Sequence, residues 1–144
     1  MKSFSFNKNL SSLAFAICVI IGISLSSCAR KLTFLNSSVT PAATGSVKIK
    51  HAKSGNYLID VETRNLAPAD KLSPPRKVYV VWMETQQNTV RNIGMMKSGN
   101  SLFSKNLKGG LQATSTSKPT SFFITAEDDG NTQYPGNEVV LKTN

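Results

Sequence analysis

Cysteine and histidine are nearly absent from this chain: Cys18 and Cys28 are its two thiols and His51 its one imidazole. A tetrahedral zinc site of nitrogen and sulfur ligands is therefore out of reach. If Cys18 is removed with a leader, the remaining part holds one thiol and can form no internal disulfide. Acidic residues are scarce too, with eight against seventeen Lys and Arg, and none precedes Asp60. The longest apolar run, Leu13 to Leu25, falls short of the roughly 20 residues that a membrane-spanning helix needs. Helical periodicity of useful length is missing, and so is any fixed-period repeat of the kind that builds solenoids and propellers.

What stands at the N-terminus follows from those absences. Lys2 and Lys8, then the short apolar run, then small residues have the layout of a secretory signal. Residues 1–27 are expected to be that signal. The run ends in Leu25, Ser26, Ser27 and Cys28, which matches the bacterial lipobox: Leu three places before the cysteine, small residues between. The order suits the chemistry, because the Cys28 thiol takes a diacylglyceryl group and small residues give a signal peptidase access to the preceding bond. A covalent diacylglycerol and acyl chain on Cys28 is the one prosthetic group expected. The competing reading, a nucleophilic thiol, needs an activating base, and no motif places His51 beside it.

Residues 28–44, rich in Ser, Thr, Ala and Pro, read as a lipidated tether. Residues 45–144 read as one domain of alternating, turn-punctuated strands. "SVKIKHA" sets Val47 and Ile49 against Lys48 and Lys50, and "YLIDVET" sets Tyr57, Ile59 and Val61 against Asp60 and Glu62, so the two predict a hairpin around "SGN". The proline-rich "NLAPADKLSPPRK" predicts a loop. "VYVVWM" is apolar on both faces, as a covered central strand is. "TVRNIGMM" and "EVVLKT" read as strands, Gly109 and Gly110 as a hairpin turn, and "PTSFFITAE" as a strand with Phe122, Ile124 and Ala126 on one face. About seven strands predict an all-β, antiparallel, immunoglobulin-like β-sandwich.

Lys and Arg are spread along the chain, 15 of them after residue 27 against eight acids. A surplus of this size suits a surface near anionic lipid or an anionic wall polymer. Nucleic acid is not an expected partner, since no basic stretch interleaves with aromatics. Glu127, Asp128, Asp129 and Asn131 are oxygen donors that calcium accepts, though without the spacing of an EF-hand loop; Asp, Gly and Asn are equally the residues of a turn. Tyr79 and Trp82 could stack on a sugar or polymer, or fill the core. No catalytic residues are expected: the acids suggest no facing pair for glycoside cleavage, and neither G-x-S-x-G nor S-x-x-K occurs.

The strand "KVYVVWM" followed by the terminal "FFITAEDDGNTQYPGNEVVL" resembles the extracytoplasmic C-terminal domain of RskA-type anti-sigma factors. The matching positions are Tyr79, Trp82, Met83, Gly94, Phe123, Thr125, Glu127, Gly130, Pro135, Gly136, Val139 and Leu141, and the likeness covers roughly residues 45–144. It implies a sandwich that senses or docks something outside the cytoplasm. The family's sigma-binding helical domain has no counterpart here. Gly130 and Gly136 are expected to supply positive backbone dihedrals, and Pro135 to stiffen the turn between them. The expectation is a lipid-anchored envelope protein with a non-catalytic binding or docking domain, on the periplasmic face of an outer membrane or on an inner membrane. The alternatives are a sensor or regulator of an anti-sigma or envelope-stress pathway, with an envelope protein as partner, and a hydrolase.

Overall fold

The structure, a computed structural model, describes residues 29–98 and 107–144. Residues 1–28, and with them the expected signal and Cys28, lie outside the described residues, as do residues 99–106. The described chain is all-β, with one three-residue 3-10 turn at Ala69–Lys71. Its strands are β1 (Arg30–Thr33), β2 (Thr44–His51), β3 (Tyr57–Arg64), β4 (Val78–Thr85), β5 (Val90–Met95), β6 (Lys97–Ser98), β7 (Gly109–Ser115), β8 (Pro119–Glu127) and β9 (Val139–Lys142). They form two antiparallel sheets in the orders β1-β2-β3-β7-β6 and β5-β4-β8-β9.

Alternation decides which face each strand buries. In the first sheet Val47 and Ile49 pair with Val61 and Ile59 and are buried with them, while Lys48 and Lys50 stay exposed. In the second sheet Tyr79, Val81 and Met83 of β4 join Phe122, Ile124 and Ala126 of β8. These two sets share one apolar core, so the sheets pack face to face. The reverse face of the second sheet carries a smaller cluster of Val80, Trp82 and Phe123. This is why "VYVVWM" lacks a polar side.

Two turns have their reasons in single residues. The "QQN" turn joins β4 to β5 with Asn88 in the left-handed region, φ 56°, and its amide donates to Thr85 O at 2.9 Å; Asn tolerates that conformation better than most side chains. Gly94, at φ 132°, sits in β5 beside a register shift in its pairing with β4, where its amide donates to Asn92 Oδ1 at 2.9 Å.

Three expectations need correction. The tether predicted over residues 28–44 is folded from Arg30 onward: β1 pairs with β2 from Arg30↔Ile49 to Thr33↔Ser46. Beyond β1 the chain crosses to the edge of the second sheet. Phe34 bridges Thr143, the Leu35 amide donates to Lys142 O at 2.8 Å, and Ser37 Oγ donates to Val140 O at 2.5 Å. Phe34, Ser37, Thr40 and Ala43 are all buried. The expected strand count of about seven becomes nine among the described residues, which include β1 and the two-residue β6. Gly109 and Gly110 begin β7 instead of forming a turn, opposite Ser98 and Lys97; a Cβ on Gly109 would fall on Met96 Sδ, so close approach is what requires glycine there.

Candidate functional site

The connections divide between the two ends of the sheets. The β2–β3, β4–β5 and β7–β8 turns lie at the end where β1 starts, and the Gln86 amide donates to Lys118 O at 3.1 Å between two of them. At the opposite end lie the long loops 65–77 and 128–138. Arg76 joins these loops, its Nη1 2.9 Å from Asp128 Oδ2, and the Lys77 amide donates to Glu127 O at 3.0 Å.

Loop 128–138 folds back over the Trp82 face of the second sheet. Trp82 Nε1 donates to Thr125 Oγ1 at 2.8 Å, the Thr125 hydroxyl donates to Glu127 Oε1 at 2.6 Å, and the same oxygen accepts the Gly136 amide at 2.7 Å. Asn92 Nδ2 donates to Gly130 O and Thr132 O, both at 2.9 Å. Gly130 and Gly136 are not in the positive-φ region, where among the described glycines only Gly55 and Gly94 lie. Their role is proximity: a Cβ on Gly130 would meet the Met95 side chain, and one on Gly136 would approach the Glu127 carboxylate to 2.9 Å. The terminal motif thus makes a loop that closes over a buried tryptophan.

That arrangement settles most of the sequence-predicted site residues. Trp82 has no exposed surface, and its ring lies 6.2 Å from Phe123, stacked at 13°; the possible ligand contact through Trp82 is corrected to a core role. The calcium-type donors diverge. Glu127 binds Thr125 and Gly136, Asp128 pairs with Arg76, and Asp129 Oδ1 accepts the Asn131 amide at 3.0 Å. Among the described residues no three such side chains converge on a point where a metal could sit. His51 is exposed at the end of β2, its ring 4.7 Å from that of Tyr57. Leu25, Ser26, Ser27 and Cys28 lie outside the described residues.

Tyr79 does line a cavity, of about 410 Å³, at the loop end of the sheets beside Leu66, Arg76, Met96 and Lys108. Its hydroxyl donates to Ala67 O at 2.7 Å, tying β4 to loop 65–77. Burial, and secondarily the Glu138 and Asp70 carboxylates, push its pKa up to about 12. Near neutral pH it is therefore a fixed, protonated donor and no base. Leu66 and Met96 give the cavity wall an apolar part, and Arg76, Lys77 and Lys108 give it a basic one. The cavity can receive an apolar group with an anionic end. Nothing in "NLAPADKLSPPRK" beyond its prolines foretold it, because its lining comes from strands and loops far apart in sequence.

No family model, curated protein or solved structure matches this chain.

Proposed function

We propose that the protein is a lipid-anchored component of a bacterial envelope, whose immunoglobulin-like sandwich binds or docks and performs no catalysis. Cleavage after Ser27 makes Cys28 the first mature residue, carrying diacylglycerol and an acyl chain. Two or more chains hold a soluble domain on a membrane where one is marginal. The periplasmic face of an outer membrane is the favoured site. The observation that supports this reading is the start of β1: among the described residues the chain is in the first sheet by Arg30, two residues beyond the lipobox cysteine, so cleavage after Ser27 would leave every described strand in the mature chain. Labelling cells with a fatty-acid analogue tests it. Wild type should incorporate label and Cys28→Ala should not; equal labelling, or none in wild type, rejects the anchor.

A second reading, a sensor domain of an anti-sigma or envelope-stress pathway, is favoured by the Tyr79 cavity, which opens at the end remote from residue 29. Crosslinking in cells from Lys77 or Lys108 should then recover one defined inner-membrane regulator, whereas wall polymer or outer-membrane protein supports docking.

A further inference from the structure

We infer that the end of the sandwich where β1 begins is a membrane-docking surface that rests on anionic phospholipid headgroups. The inference takes from the proposed function the lipid on Cys28 and adds the orientation of the domain on the bilayer.

Distance carries the first part of the argument. Two residues of fully extended chain reach at most about 7 Å, so a lipid on Cys28 leaves no leash and keeps the Arg30 end of the first sheet at the headgroups. That end comprises the starts of β1 and β3, the end of β2 and the turns at 52–56 and 116–118.

Charge carries the second part. Arg30, Lys31, Lys50, Lys53 and Lys118 are exposed there, and none joins the three ion pairs of the described residues, which are Lys48–Glu62, Lys71–Asp70 and Arg76–Asp128. Two acids lie near that end: Glu84, which accepts the Ser121 hydroxyl, and Asp60, which pairs in register with Lys48 on the face that carries Lys50. Five of the eight acids, Asp70, Glu127, Asp128, Asp129 and Glu138, sit in or beside the loops of the far end. At the far end Arg64, Lys71, Arg76, Lys77 and Lys108 offset those acids, so the positive charge left unbalanced lies where the chain emerges. A Debye length of about 8 Å at physiological salt places the near charges within reach of a negative leaflet. Leu58, 44% exposed, pairs in register with Lys50 and projects from the outer face of the first sheet. An apolar side chain set among basic ones is what an interfacial surface presents to headgroups.

The test uses the full chain with its own anchor, reconstituted in vesicles of phosphatidylcholine alone or mixed with phosphatidylglycerol. An amine-reactive probe is applied, and modification is read at each lysine by mass spectrometry. On anionic vesicles Lys50, Lys53 and Lys118 should react about fivefold more slowly than on neutral ones, roughly the effect of one basic residue near such a surface, while Lys71 and Lys77 should not change. High salt should abolish the difference. In the double variant Lys50→Glu with Lys53→Glu, whose positions lie outside the core, Lys118 should lose its protection. Equal rates on both vesicles, or protection at Lys71 and Lys77 instead, overturn the inference. The N-terminal peptide from the same digest reports the lipid by its mass. Lipid present without protection overturns the orientation and leaves the anchor standing; lipid absent overturns both.

Discussion

Trp82 is the chain's one tryptophan, and its indole N–H has no access to water, so its hydrogen bond to Thr125 matters more than a surface contact would. Replacing Thr125 by Val keeps the shape but orphans a buried donor and removes one partner of Glu127. Stability should fall by about 1–3 kcal/mol, and Thr125→Ser should restore most of it. Because Trp82 is the sole tryptophan, its fluorescence in a urea titration reads both the midpoint and the change in its surroundings. The tryptophan itself was legible as a core residue, since "VYVVWM" has no polar face. The glycines were legible as necessary, but for the wrong reason. A sequence displays that a side chain is missing and not whether the backbone bends or a neighbour presses, and at Gly130 and Gly136 the neighbours are Met95 and Glu127.

At the scale of elements, strands that alternate or run apolar for six residues or more could be read directly. "PTSFFITAE" is β8 from end to end, and the β2–β3 hairpin has the predicted faces. The N-terminal segment could not be read. Its four-residue β1 is too short to show a period, and the composition of residues 34–44 suits a linker. What holds it lies far away in the chain: Ser37 reaches Val140 across 103 positions. Phe34 is 7% exposed in the main core. Phe34→Ala should therefore cost about 3 kcal/mol, as core truncations do, where a tether residue would move stability by no more than about 0.5 kcal/mol. Denaturant midpoints of the two proteins decide it.

For the molecule as a whole, Tyr79 couples folding to alkaline pH. Its pKa of about 12 lies above the ordinary value near 10, so the folded state holds the proton more tightly than the unfolded one. The resulting stability is complete below pH 10 and is lost as pH rises toward 12, on the order of 2 kcal/mol. Thermal melts from pH 8 to 12 should show this decline in wild type, and Tyr79→Phe should flatten it. The cavity beside Tyr79 was illegible in the sequence because it exists only where loop 65–77 meets the start of β7. The start of β1 has a mechanical meaning as well. A pull delivered through residue 28 runs along β1, so it loads the pairs from Arg30↔Ile49 to Thr33↔Ser46 in shear, together, and does not peel them one after another. Behind them Phe34 and Ser37 pass the load to β9, so a force applied there is shared between both sheets before any strand lets go.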